Sequence, residues 1–349
     1  MWTAASPLSS YWEGAEQTQG LMLDIKTAAI FETSEPFTRP PLQVLLAAPR
    51  GFCAGVRRAI DAVEDALRAH GAPVYVRRAI VHNLAVVRDL EAKGAIFVEE
   101  LAEVPPGAVT VLSAHGVARS VFAEAEARGL RVIDAVCPLV AKVHREVVRH
   151  HQSGRRVVLI GHAGHPEIVG TLGQVPEGSA LLVASEADVA RLPIGRGQPV
   201  AYAVQTTFSV DEAAGIVAAL ESRFTDLVAP PASDICYATS NRQAALKAMA
   251  GKVDAVIVVG ESFSSNACRL AEVARAMGCR SVQLVAGPEA LDWELLHGRS
   301  RLGVTAAAST PETQVYAVLE RLRERFAVTL GEAEAEVREA VFFKPLKVA

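Results

Sequence analysis

An α/β fold with mostly parallel, buried sheets is predicted by three observations in the 349-residue sequence. From residue 43 onward, short apolar runs alternate with amphipathic runs of ten or more residues, the pattern of strands joined by crossover helices. Three of the five cysteines, Cys53, Cys137 and Cys236, each stand where a strand-like run gives way to a helix-like one. A polar loop follows each of them 28 or 29 positions later: His82, His165 and Ser265. Such a recurrence is the mark of repeated structural units.

The elements follow in order. "QVLLAA" (43–48) reads as a buried strand. The next run, "RRAIDAVEDALRAHG", repeats Ile60, Val63 and Leu67 at helical spacing and stops at Gly71. "PVYVRRAI", a helix near 84–93, "AIFVE", "AVTVLSA" and a helix near 120–128 complete the first unit, which closes on "RVIDAV". A helix to Gly154, "RVVLIG", "ALLVAS", "PVAYAV" and a helix near 210–223 make the second. The third has a helix after Asn241, "VDAVIVVG", a helix over Asn266 to Met277, "SVQLVA", "RLGVTAAA" and a helix from Pro311 to Phe326. This spacing divides the chain into α/β domains at 43–137, 138–232 and 233–328. A flexible N-terminal extension (1–42) and a C-terminal tail (329–349) flank them.

Composition narrows the function. The formal net charge of -4 disfavours bulk binding to nucleic acid or an anionic membrane, and no apolar run is long enough to span a bilayer. Glu13, Glu16 and Asp24 interrupt the N-terminus and the first basic residue is Lys26, so no secretory or Arg-rich transit signal is read there. Five cysteines without C-x-x-C spacing suit reduced thiols in a cytoplasm.

Parallel sheets bind ligands beyond the carboxyl ends of their strands. The loops expected there carry Cys53, Cys137 and Cys236, then His82, His115 ("SAHG"), His165, Thr206 ("QTT"), Ser264, Ser265, Asn266 ("SSN") and Ser309 ("AAAS"). A thiol at a helix N-terminus favours the thiolate. Three thiolates suit an iron–sulfur cluster with one iron left open, and zinc held by three Cys and one His competes with it. Cys268 and Cys279 read as packing residues, and Arg57 and Arg58 as surface charges. Imidazole, hydroxyl and amide donors at loop ends suit a phosphate or diphosphate, whereas neither a P-loop nor a G-x-G-x-x-G fingerprint is present. Glu167, two residues past His165, is the candidate proton donor, because burial and neighbouring negative charge raise a carboxyl's pKa. Three function classes remain: a reductase, a zinc or iron–sulfur hydro-lyase on a phosphorylated substrate, and a cluster-based redox sensor. Electron stoichiometry separates the first two, and diphosphate binding separates both from the third.

The segments "PRGFCAGVRRAI", "VHN", "SAHGV", "DAVCPLVAKVH", "GHAGHPE", "QTTFSVD", "DICYATSNRQ", "SSN" and "GVTAAAS" occur in this order between about 43 and 326. In these segments the chain resembles the 4-hydroxy-3-methylbut-2-enyl diphosphate reductase family. The resemblance implies three similar domains in pseudo-threefold arrangement around a central [4Fe–4S] cluster, with Cys53, Cys137 and Cys236 as ligands and one open iron. It implies that His82, His115, His165, Thr206, Ser264, Ser265, Asn266 and Ser309 hold an allylic diphosphate and that Glu167 delivers protons. In the family's reaction two electrons, from ferredoxin or flavodoxin, break the C–O bond with loss of water. Protonation of the allylic anion at either end then gives isopentenyl or dimethylallyl diphosphate. Phe263 stands where the family usually has a polar residue, Ala307 replaces a common glycine, and the first 40 residues have no counterpart in short members.

Overall fold

Strands β1 (Pro41–Leu46), β10 (Ala255–Val259), β11 (Ser281–Val285), β12 (Arg301–Ala306) and β13 (Ala327–Glu332) form one sheet of a computed structural model that describes residues 39–333 and 337–348. Its order is β11-β10-β12-β1-β13 and every pairing is parallel. A second sheet runs β3-β2-β4-β5, from β2 (Val74–Arg77), β3 (Ala95–Val98), β4 (Val109–Leu112) and β5 (Arg131–Asp134). The third runs β7-β6-β8-β9, from β6 (Arg156–Ile160), β7 (Ala180–Val183), β8 (Val200–Val204) and β9 (Leu227–Val228). Among the described residues, ten α-helices connect them: α1 (Ala54–His70), α2 (Leu84–Ala92), α3 (Arg119–Ala127), α4 (Pro138–Gln152), α5 (Pro166–Leu172), α6 (Glu186–Arg191), α7 (Val210–Arg223), α8 (Tyr237–Ala250), α9 (Ser265–Ala276) and α10 (Glu312–Arg323). The expected extension, 1–42, lies outside the described residues up to Thr38.

Both faces of each sheet are covered, so the strands read as continuous apolar runs. In β10, "AVIVV", every residue is buried. Ala255, Ile257 and Val259 join β1 and α10 in one core, while Val256 and Val258 face α8 and α9 in another. Full burial of each valine or isoleucine among them contributes on the order of 1.5–3 kcal/mol.

The sheet assignment differs from the sequence division at both chain ends. β1, the opening strand of the first sequence unit, is hydrogen-bonded between β12 and β13 in the last sheet. Its neighbour relation to β12 matches that of β5 to β4 and β9 to β8. Each Cys joint therefore follows the equivalent strand of its sheet, β1, β5 or β9, and crosses to the next sheet. Residues 329–332, expected in the tail, complete β13 beside β1. Helix α8 starts at Tyr237 rather than after Asn241, and the short helices α5 and α6 have no counterpart among the expected elements.

Candidate active site

Cys53, Cys137 and Cys236 are the N-cap residues of α1, α4 and α8. Each is pinned by its own N–H to a polar loop on the neighbouring strand. Cys53 donates to Ala308 O at 3.2 Å, Cys137 to Ala114 O at 2.9 Å and Cys236 to Thr206 O at 3.0 Å. One recurring hydrogen bond thus sets each thiol beside Ser309, His115 or Thr206.

The two glycines flanking Cys53 have different tasks. Gly51 has φ +69, the left-handed turn that non-glycine residues resist, and a Cβ there would meet the Thr310 carbonyl at 3.2 Å. Its own carbonyl accepts from the fully buried Arg242 at 2.6 and 3.1 Å. Gly55 instead opens space at the sulfurs. A Cβ at Gly55 would sit 2.7 Å from Cys137 Sγ and 3.8 Å from Cys53 Sγ, so these sulfurs are no farther apart than the sum of those distances. Cys53 Sγ also accepts from the Val56 amide at 3.4 Å.

The twelve residues singled out from the sequence line one cavity, whose empty volume is about 680 Å³ with the solvent at its mouth included. Burial pushes the Cys137 thiol up to about 12, with the neighbouring Cys53 and Cys236 adding to it. Burial likewise pushes Cys236 up to about 11, with Cys53 adding to it and the Thr239 hydroxyl at 3.2 Å opposing. Among the described residues no three His, Cys, Asp or Glu side chains converge closely enough to hold one metal ion.

The three histidines form a cluster, with His165 edge-on to the other two rings. His82 and His115 have ring centroids 4.1 Å apart, and His165 lies 5.5 and 5.9 Å from them. Burial lowers His82 to about 4, His165 to about 3 and His115 well below the usual imidazole value, so all three are neutral near pH 7. His165 Nδ1 accepts from the Glu167 amide at 3.2 Å, which leaves its Nε2 to carry the proton. The Nε2 atoms of His165 and His82 are buried without a protein partner, an arrangement that calls for a ligand.

Glu167 is 2 % exposed. Its Oε1 accepts from the Thr206 amide and its Oε2 from the Thr206 hydroxyl, both at 2.7 Å. Burial nevertheless dominates these two donors and raises the carboxyl to about 7, helped by Asp234. Ser264 caps α9 and lies 3.5 Å from Ser309, while Ser309 donates to His82 O at 3.0 Å. Asn266 Oδ1 accepts from the Ala308 amide at 3.0 Å. Sequence reasoning left out Thr239, whose Oγ1 contacts Cys236 Sγ and accepts from Asn266 at 3.3 Å. Its signal was the place three residues past a helix-capping cysteine, the spacing by which Val56 meets Cys53. Ser265 is held by Thr207 at 3.1 Å and Gln205 at 3.3 Å, and only Thr206 of that loop had been selected.

The two departures from the family pattern lie behind or beside the cavity. Ala307 is fully buried in the apolar core next to Gly260, so its methyl fills packing space. Phe263 is 46 % exposed and sets its ring edge-on to His82 at 5.9 Å.

Fold and cavity define a parallel α/β protein whose three thiols, three neutral imidazoles and protonatable carboxyl line one pocket, a donor set suited to metal and anion chemistry. The family model "LytB protein" matches residues 44–323, and the chain belongs to the LytB family. It is similar to the 4-hydroxy-3-methylbut-2-enyl diphosphate reductase of Cereibacter sphaeroides, 54% identical over 88% of this chain and 96% of that one. The enzyme of that name from Beijerinckia indica is 54% identical over 87% and 96%. The solved E-1-hydroxy-2-methyl-but-2-enyl-4-diphosphate reductase of Plasmodium falciparum superposes with a TM-score of 0.81 at 36% identity, covering 86% of this chain and 95% of that one.

Proposed function

We propose that this chain catalyses the reductive dehydroxylation of (E)-4-hydroxy-3-methylbut-2-enyl diphosphate to isopentenyl and dimethylallyl diphosphate, the last step of the non-mevalonate route to isoprenoid precursors. The observation that carries the reading is the meeting of three helix-capping thiols with a buried, protonatable Glu167 and two unpartnered imidazole Nε2 atoms in one cavity.

The donor set fits an iron–sulfur cluster. Three thiols from three sheets face a common space, and Gly55 keeps that space clear where any side chain would strike sulfur. Three cysteines at the cavity with no fourth among its lining residues suit a polynuclear group with an open position over a structural zinc. Cys53, Cys137 and Cys236 are the proposed ligands of a [4Fe–4S] cluster whose fourth iron has no protein ligand. When bound, the cluster supplies the electrons that break the C–O bond.

The chain's own residues do the rest. His165 Nε2–H, His82, His115, Ser264, Ser265, Asn266 and Ser309 hold the diphosphate, replacing lost hydration with charge-assisted hydrogen bonds. Thr206 positions Glu167 through two hydrogen bonds and lies where the substrate hydroxyl enters. With its carboxyl raised to about 7, Glu167 is a usable acid near neutrality and delivers the protons. Ferredoxin or flavodoxin is the proposed electron donor and the cytoplasm the proposed compartment. No helix among the described residues is long and apolar enough to cross a membrane.

Anaerobically purified protein tests this. It is expected to contain iron and acid-labile sulfide, to consume two electrons per allylic diphosphate, and to lose its iron on Cys137→Ser. Zinc without iron refutes the cluster. Turnover without electron consumption refutes the reductase in favour of a hydro-lyase.

A further inference from the structure

The half of α4 away from Cys137 carries Arg145 and Arg149 one turn apart, and both line an outer groove with Arg119, the first residue of α3. The groove has an empty volume of about 440 Å³, open solvent included, and its other lining residues are His144, Val148, Gln152 and Gln174. We propose that this groove binds a small phosphate-bearing anion, and that the bound anion tightens the seam between the His115 loop and α5. The effect on catalysis, though not the binding, rests on the reading of His115 and Glu167 given above.

Charge selects the occupant. Among the described residues that line the groove none is a carboxylate. Nor does any ion pair among the described residues engage Arg119, Arg145 or Arg149, whereas Lys142 and Arg155 pair with Asp234 and Asp226 at 2.9 and 2.7 Å. Arg145 and Arg149 are like charges four residues apart on one helix, a destabilising spacing. The dipole of α4 favours Arg149 in its last turn, but that of α3 disfavours Arg119 in its first. Three forked guanidiniums without a counter-charge suit an oxyanion of two or more charges, which takes paired N–H donors. Val148 is the one apolar side chain of the lining, so the groove has contacts for a phosphate or diphosphate group and almost none for a hydrocarbon tail.

The groove lies on a seam that joins two elements of the candidate active site. Arg119 donates its amide to Gly173 O at 3.1 Å, and Gln174 Nε2 donates to Val117 O at 2.7 Å and to Gly170 O at 2.9 Å. These bonds tie the loop of His115, Gly116 and Val117 to α5, which carries Glu167. His144 lines the groove and also fills the place of a side chain at Gly116, where a Cβ would stand 2.6 Å from its Cε1. Burial lowers this imidazole to about 4, with Arg145 adding to it, so it brings no charge of its own near pH 7. Unneutralised, Arg119 and the two α4 arginines repel one another across the seam. An anion between them cancels that repulsion and draws α3 toward α4. His115 and Glu167 are then held more firmly, so anion and substrate favour each other's binding by one shared factor.

The test titrates holoenzyme with inorganic diphosphate by isothermal calorimetry, without reductant. Two sites are expected, one in the cavity and one in the groove. Arg145→Gln combined with Arg149→Gln should weaken the groove site at least roughly tenfold and spare the cavity site, and His165→Ala should do the reverse. Both arginines are exposed, and wild-type circular dichroism and iron content check that the double variant is folded and loaded. Dimethylallyl diphosphate should fill the groove no more tightly than inorganic diphosphate; a groove that only the prenyl compound fills overturns recognition by the charged group. In turnover driven by a reduced viologen, wild type and double variant should share one KM for the allylic diphosphate when no other anion is added. With a fixed amount of inorganic diphosphate present, the wild-type KM should be about fivefold the lower, the small end of usual couplings because the arginines are exposed and screened. A single site that the arginine changes do not touch overturns the groove, and equal KM values in both conditions overturn the coupling. Absence of turnover in wild type strikes the reductase reading instead, while the titration still decides the groove.

Discussion

Removing the Thr206 hydroxyl tests how the active-site acid is tuned. Glu167 is held by two donors from one residue, the Thr206 amide and the Thr206 Oγ1, each at 2.7 Å. Both favour the carboxylate, yet burial prevails and sets the group to about 7. Thr206→Val keeps the shape and the amide but deletes the hydroxyl. A hydrogen bond to a charged acceptor contributes about 1.5–3 kcal/mol and one between neutral groups about 0.5–1.5, so the carboxylate loses roughly 1–1.5 kcal/mol more than the acid does. At 1.36 kcal/mol per pH unit, the midpoint rises by about one, to about 8. The sign follows from the role: a general acid works protonated, so activity is lost as pH rises through its pKa. The assay is kcat/KM against pH under anaerobic conditions with a small reductant, since this ratio reports the free enzyme. Wild type should lose activity through about 7 and the variant through about 8, whatever the variant's absolute rate. Glu167→Gln, keeping its cluster, should lose roughly 10²–10⁴ of turnover. An alkaline limb that does not move in Thr206→Val, or one that survives in Glu167→Gln, refutes Glu167 as the acid.

Three further outcomes are expected. Gly55→Ala places a methyl 2.7 Å from Cys137 Sγ and should abolish iron loading while the far-ultraviolet circular dichroism stays native; normal iron content would show that the sulfurs have room to retreat. His165→Ala deletes an unpartnered Nε2–H donor and should raise the KM for the diphosphate roughly tenfold to a hundredfold, the value of a hydrogen bond to a charged group; an unchanged KM removes His165 from the anion site. Glu339→Gln leaves buried Arg242 without its counter-charge and should destabilise the protein by about 3 kcal/mol in urea unfolding; a difference under about 0.5 kcal/mol would make the pair dispensable.

The parallel sheets, the three thiol joints and the polar loops were legible because each rests on local sequence: a buried strand must be apolar, and a helix start must satisfy its amides. What escaped depends on partners remote in the chain. "QVLLAA" announces a strand but not that its neighbours are Arg301–Val304 and Ala327–Glu332. β13 itself has an exposed, mixed pattern that a core strand would not show. The seven-residue α5 gives too few turns for a helical stripe, and its Gly170 stands where a Cβ would meet the Gly116 carbonyl at 3.0 Å instead of favouring a helix. Thr239 escaped because a threonine in the first turn of a helix is ordinary until a sulfur is found 3.2 Å away. The Glu339–Arg242 pair joins residues 97 positions apart, a contact no spacing rule reveals.

Every shifted group in the cavity moves toward its uncharged form. The imidazoles of His82, His115 and His165 are pushed down, and Glu167 and the Cys137 and Cys236 thiols are pushed up. That bias keeps an enclosed pocket from holding unpaired charge, whose burial would cost several kcal/mol per ion. It also fixes how the pocket responds to its ligands. The proposed ligands Cys53, Cys137 and Cys236 would give up their thiol protons on metal binding, because only thiolates ligate. On the proposed assignment, a diphosphate in this cavity favours imidazolium, opposes the carboxylate and so holds a proton on Glu167. Substrate binding and proton loading are then one coupled equilibrium. By that coupling the alkaline limb of kcat, which belongs to the complex, lies at higher pH than the limb of kcat/KM. If Glu167 is the acid, as proposed, it is most fully protonated when the molecule it protonates is in place.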